Sequence, residues 1–149
     1  MTAARWNAGA GFIKVSDAKK PVDVAAALVF RRGKILIARR PANSHLGGLW
    51  EFPGGKREPD ETFEQCLARE VHEELGVKVS VDELFETVSH SYAEKSVCLK
   101  FFVCHLLDGE PRPLAGAAVR WVDKTELDDF EFPAADARLL KKLRAYNFP

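Results

Sequence analysis

At 149 residues, 46% hydrophobic and 30% charged, the chain has the size and composition of one soluble globular domain with a substantial core. Lys+Arg and Asp+Glu both number 22, and the zero formal charge excludes a global pull towards nucleic acid or an anionic membrane. The three cysteines, Cys66, Cys98 and Cys104, are an odd number without metal-ligand spacing, so no disulfide scaffold is expected and a reducing, cytoplasmic setting fits.

No stretch approaches the roughly 20 apolar residues of a membrane span. Residues 1–21 read as a mobile, mildly basic lead-in, broken by Asn7, Gly9, Gly11, Lys14, Ser16 and Asp17 and without a signal peptide's apolar core. Residues 22–149 are the expected folded domain. Val22 to Phe30 is a nearly unbroken apolar run, Arg31-Arg32-Gly33-Lys34 a polar turn, and Ile35 to Ala38 a second run. Together they predict a hairpin in a sheet covered on both faces. Pro41 to Leu49 reads as a loop, and Trp50-Glu51-Phe52 as a brief strand delivering the chain to a Gly54-Gly55 loop.

A helix is expected from about Asp60–Thr62. Thr62 and Gln65 have capping-box spacing, Phe63, Leu67, Val71 and Leu75 form an apolar stripe, and Gly76 is a natural terminator. Strands follow over Val77–Val88, Val97–Leu107 and Val119–Val122, then a helical turn near Asp123–Leu127 and a last helix over Pro133–Tyr146. The order β-β-β-α-β-β-β-α points to an α/β (α+β) fold with a mixed sheet between helices, distinct from a doubly wound parallel sheet.

Glu70, Glu73 and Glu74 lie at i, i+3 and i+4, on one face of the first helix. They repel one another, and they sit in the last turns, where the helix dipole disfavours anions by roughly 0.3–1 kcal/mol each. A plain acidic surface face is the simple reading. A hard divalent cation such as Mg²⁺, which takes carboxylate and phosphate oxygens, resolves the conflict better. Glycines before the helix allow close backbone approach and offer a carbonyl ligand.

Gly55, Glu61, Arg69, Glu70, Val71, Glu73, Glu74, Gly76 and Val77 stand at the spacing G-x5-E-x7-R-E-U-x-E-E-x-G-U. This resembles the Nudix box at every fixed position. Arg39-Arg40-Pro41-Ala42, Leu49 to Lys56 and Phe132-Pro133-Ala134-Ala135-Asp136 extend the likeness to the MutT-like branch, over roughly residues 22 to 146. The resemblance implies the Nudix α/β/α sandwich and Mg²⁺-dependent hydrolysis (Mn²⁺ substituting) of nucleoside triphosphates to monophosphate and pyrophosphate, with 8-oxo-dGTP the best-known substrate of the branch. It implies Gly54 (by its carbonyl), Glu70, Glu73 and Glu74 as metal ligands, Arg69 as the residue that orients a glutamate, and Glu70 as the base, although the base varies across the family.

Arg40, Phe52, Lys56 and Asp136 are candidate substrate contacts, for the nucleotide, the base, a phosphate and the base edge; His45 reads as a plain loop histidine. MutT-like members carry asparagine where Asp136 stands, and a cytidine-preferring sister group carries aspartate. A helix-start anion is the simpler reading of Asp136. The likeness also departs at Arg120, which precedes Trp121 where MutT-like members have a further glutamate. Alternatives are a CTP or modified-pyrimidine pyrophosphohydrolase, an ADP-ribose-type pyrophosphatase, and a non-catalytic 8-oxoguanine-recognition module of the MutY kind. The expected partner is a small nucleotide, without strong nucleic-acid binding or a membrane, in a monomer or homodimer.

Overall fold

A computed structural model describes residues 21–116 and 118–149. The lead-in expected over residues 1–21 thus lies, apart from Pro21, outside the described residues.

Strand β1 (Val22–Arg31) is the spine. Its first half pairs antiparallel with β4 (Gly54–Lys56), its last residues with β2 (Lys34–Arg39), and its other edge runs parallel to β6 (Ser96–Asp108) from Val22↔Val97 to Val29↔Cys104. Strands β3 (Trp50–Glu51) and β7 (Ala118–Asp123) add to β2, and β5 (Lys78–Ser91) adds antiparallel to β6. The mixed sheet is therefore as expected, and both of its faces are covered.

The apolar run in β1 is unbroken because each alternate set of side chains has its own core. Val24, Ala26, Leu28 and Phe30 face the cluster beneath the last helix, α2 (Ala137–Arg144), with Leu139 and Leu143. Ala25, Ala27 and Val29 face Cys66, Leu67, Val71 and Leu75 of the first helix, α1 (Phe63–Leu75). The turn between β1 and β2 places Arg32 and Gly33 at φ 53° and 77°. That left-handed pair matches the twist of a two-residue hairpin.

Helix α1 begins and ends where its sequence signals stand. The Gln65 N–H donates to Thr62 Oγ1 (3.0 Å), the Thr62 N–H donates to the Gln65 side chain (2.9 Å), and Gly76 closes the helix at φ 71°. Phe63, first in the apolar stripe, is only half-buried; Lys100 Nζ (4.5 Å) and the Arg57 guanidinium (5.2 Å) lie over its ring.

Three expectations need correction. Gly54-Gly55 is strand β4, since a Cβ at Gly54 would collide with the Ala25 backbone, and only glycine lets the two chains pair this closely. Residues 78–91 form one long strand with bulges rather than ending at Val88. The last helix starts at Ala137, after a 3₁₀ turn over Ala134–Asp136, and Asp136 makes no capping bond. Among the described residues no helix is long and apolar enough to cross a membrane.

Candidate active site

The pairing of β4 with β1 brings Gly55 beneath α1. A Cβ on Gly55 would come within 2.6 Å of both Glu70 carboxylate oxygens, so glycine here is what lets that carboxylate lie against the strand. Glu70 is 4% exposed. Its Oε2 accepts from Arg69 Nη1 (3.1 Å), and its Oε1 is buried without a hydrogen-bond partner among the described residues.

Arg69 is the hub of the site. Its Nε and Nη2 fork onto Glu61 (3.1 and 2.6 Å), Nη1 reaches Glu70 and Glu73 (3.1 and 3.5 Å), and Nη2 also donates to the Lys56 carbonyl (3.4 Å). This bidentate bond holds the Glu61 carboxyl below its ordinary pKa and raises that of Arg69. Arg69 therefore joins the loop before α1 to the helix itself, and touches Glu70 as well as Glu61. The loop is pinned at its other end by Arg57, which donates through Nη2 to Asp23 (2.8 Å) and through Nη1 to the Glu61 carbonyl (2.9 Å).

Glu74 is buried, whereas the Glu73 side chain is 40% exposed and drawn to Arg69. Among the described residues no three acidic, histidine or cysteine side chains come together as a ready metal cage. The expected convergence of the three glutamates is thus incomplete, because Arg69 Nη1 attracts Glu70 and Glu73 to itself. The donor set still suits a hard divalent cation. It is all oxygen, it includes the buried, unpartnered Glu70 Oε1, and Gly55 leaves space beside it. Cys66 is no nucleophile: burial pushes its thiol up to about 12, and it donates to the Gly55 carbonyl (3.4 Å).

We expect Gly55→Ala to fold with a melting temperature near that of the wild type, because β4 accepts alanine, but to displace the Glu70 carboxylate. Turnover should fall about 100-fold. Steady-state kinetics alongside a thermal melt check this, and unchanged kcat would mean that the contact is idle.

The residues expected to meet the nucleotide divide. Lys56 is exposed beside this cluster. Arg40 is turned inward, 2% exposed, with Nη1 on Glu51 (2.9 Å) and Nε on the His45 carbonyl (2.7 Å), so it holds the 41–49 loop instead of presenting itself at the strand end. Phe52 is 2% exposed, stacked on Phe132 (5.2 Å) and edge-on to Phe101 (6.2 Å). Its ring packs in the core between Phe132 and Phe101.

Asp136 is buried, and its Oδ1 has no hydrogen-bond partner among the described residues. Burial, and behind it the charge of Glu51, pushes its carboxyl up to about 7. Tyr92 and His45 border the same region, their rings edge to face at 5.4 Å. Sequence reasoning passed over Tyr92, whose place in a polar stretch between two strands gave no periodic signal.

Asp136 carries a prediction about stability. Its folded pKa is raised from 3.8 to about 7, so the folded protein keeps a proton that the unfolded chain releases within that window. Stability from this group is fully present below the unfolded value, falls by about 1.4 kcal/mol per pH unit through the window, and is flat above it. Between pH 5 and 7 the loss should be about 2 kcal/mol, and Asp136→Asn should remove it. Urea unfolding of both proteins across pH decides, and equal slopes would refute the assignment.

A mixed sheet between two helices, with a glycine strand and a glutamate-bearing helix meeting at one buried carboxylate, defines a class of hydrolase. Residues 25–142 match the family described as the NUDIX domain, and the chain belongs to that family of hydrolases. It is 38% identical to the CTP pyrophosphohydrolase of Escherichia coli over 128 residues, 85% of this chain and 93% of the relative. It is 44% identical to the 8-oxo-dGTP diphosphatase of Proteus vulgaris over 86 residues, 57% of this chain and 77% of the relative. Among solved structures, the MutT protein of Methanosarcina mazei superposes with a TM-score of 0.75 at 27% identity, covering 85% of this chain and 96% of that one.

Proposed function

We propose that the protein is a Mg²⁺-dependent, MutT-like pyrophosphohydrolase. It would convert oxidised or otherwise modified nucleoside triphosphates, such as 8-oxo-dGTP, to the monophosphate and pyrophosphate, and so clean the nucleotide pool. The observation that carries this reading is the Glu70 carboxylate, seated on Gly55, fixed at one oxygen by Arg69 and unpartnered at the other. The name of the Proteus vulgaris relative supports it, and that of the Escherichia coli relative supports pyrophosphohydrolysis of a nucleotide. The catalytic domain in this reading spans residues 22–149.

Glu70, Glu73, Glu74 and the Gly54 carbonyl would hold Mg²⁺, with Mn²⁺ able to substitute. A divalent cation supplies charge neutralisation on the phosphates and lowers the pKa of an attacking water. Glu70 Oε1 takes the water's proton, while Arg69 keeps the other oxygen, and so the whole carboxylate, in position. Lys56, exposed at the end of β4, would meet a phosphate. Arg40 acts through the loop it anchors, and Asp136 meets the base edge.

The second reading is a CTP or modified-pyrimidine pyrophosphohydrolase, favoured by Asp136 standing where 8-oxo-dGTP enzymes are expected to have asparagine. kcat/KM for 8-oxo-dGTP, dGTP, CTP and 5-methyl-dCTP, with ADP-ribose as a further substrate, separates the readings. Preference for 8-oxo-dGTP supports the first, and preference for either pyrimidine the second. Turnover of ADP-ribose alone, or salt-dependent duplex binding without hydrolysis, refutes both. The reading takes a small nucleotide as partner in a cytoplasmic enzyme, monomeric or homodimeric, that binds nucleic acid weakly.

A further inference from the structure

Glu61, which grips Arg69, stands in the stretch 57–62 between β4 and α1, and that stretch is neither helix nor strand. Without a ladder of backbone hydrogen bonds, its place must be set by side chains. Arg57 sets it. Its Nε and Nη2 donate to Asp23 Oδ2 on β1 (3.2 and 2.8 Å), and its Nη1 donates to the carbonyls of Glu61 (2.9 Å) and Glu58 (3.4 Å). Its own N–H donates to the Asp23 carbonyl (2.8 Å), and its guanidinium lies over the ring of Phe63 (5.2 Å), the first residue of α1. One side chain, at a variable position of the Nudix box, thus ties the sheet, the loop and the helix start together.

A fully exposed ion pair would do little. The Arg57 and Asp23 side chains are only 27% and 29% exposed, and the guanidinium is held in a fixed plane by acceptors on both sides. The consequence reaches the carboxylates through Arg69. Glu61 occupies Arg69 Nε and Nη2, which leaves Nη1 to reach Glu70 and Glu73. Released from Glu61, the same guanidinium can turn its fork onto Glu70 and cover both carboxylate oxygens, Oε1 included. Arg69 and a cation would then compete for one group.

We propose that Arg57, anchored by Asp23, is a positioning residue for the cation site: by fixing Glu61 it keeps Arg69 on Glu61 and leaves Glu70 Oε1 open to a divalent cation. The inference rests on the proposed cation-dependent function and deepens it. It adds two residues, one of them on β1 outside the Nudix box, that set the affinity for the cation without touching the substrate.

Mn²⁺ binding followed by EPR, with no nucleotide present, tests this on the whole protein. Arg57→Met keeps the aliphatic stem and removes the fork, and the Kd for Mn²⁺ should rise about tenfold. Asp23→Asn keeps an acceptor without its charge and should raise Kd about threefold; it carries the test alone should Arg57→Met not fold. Glu61→Gln loosens Arg69 directly, so adding Arg57→Met to it should change Kd by less than about twofold, because both act through Arg69. In turnover, the Mg²⁺ concentration for half-maximal rate should rise in Arg57→Met by the same factor as Kd, and saturating Mg²⁺ should recover most of the rate. A general loosening of the fold would instead give losses that multiply and that Mg²⁺ does not recover. Unchanged Mn²⁺ affinity in the folded variants, or multiplying losses, overturns the proposal and leaves the function standing. A wild type that binds no Mn²⁺ overturns both, and the expected shifts in a protein that hydrolyses no triphosphate overturn the function alone.

Discussion

Glu70→Gln is expected to lower kcat by about 10²–10⁴-fold while leaving the melting temperature within a few degrees of the wild type. The substitution keeps shape and volume, and a glutamine oxygen can still accept from Arg69 Nη1. What it removes is the charge and basicity of Oε1, a buried atom without a hydrogen-bond partner among the described residues. An amide cannot take a proton from water, and it binds a hard cation more weakly than a carboxylate. Glu73→Gln, at a side chain 40% exposed and shared with Arg69, should cost less. Steady-state kinetics with saturating Mg²⁺ checks both. Near-wild-type turnover in Glu70→Gln would remove it as base and as ligand.

Arg40→Met should be the most destabilising change near the site, by about 3–5 kcal/mol. The aliphatic stem is preserved, so core packing is little disturbed. Glu51, however, is 3% exposed and loses the guanidinium at 2.9 Å, and the His45 carbonyl loses its donor at 2.7 Å. Removing one partner of a buried pair costs more than removing both. The double variant Arg40→Met, Glu51→Leu should therefore recover much of the loss, and urea unfolding of the full cycle measures the coupling. Additive losses would show that the pair is not coupled.

These two residues also show what could be read from the sequence. Helix α1 was legible, because the Thr62–Gln65 box, the apolar stripe and Gly76 are local signals. Glu70, Glu73 and Glu74 were legible as a carboxylate face because helical spacing fixes it. Strand β4 was not, since glycine has no strand preference, and only pairing with β1, through the close approach of Gly54 to Ala25, makes it one. The burial of Arg40 was hidden for a similar reason. Its partner Glu51 lies eleven residues on, and β3 must fold back on β2 to bring it near. The packing of Phe52 in the core was hidden because Phe132, which stacks on it, lies far along the chain. Arg69 was expected to orient a glutamate, but its simultaneous grip on Glu61 and Glu70 needed the loop to be in place.

The central claim is that this site opens a triphosphate to release pyrophosphate. The most direct test is ³¹P NMR of 8-oxo-dGTP incubated with the wild-type protein and Mg²⁺, run alongside Glu70→Gln. The account predicts one monophosphate resonance and one pyrophosphate resonance growing together, dependent on the cation and nearly absent in the variant. Growth of inorganic phosphate with a nucleoside diphosphate, or equal product from Glu70→Gln, would contradict it.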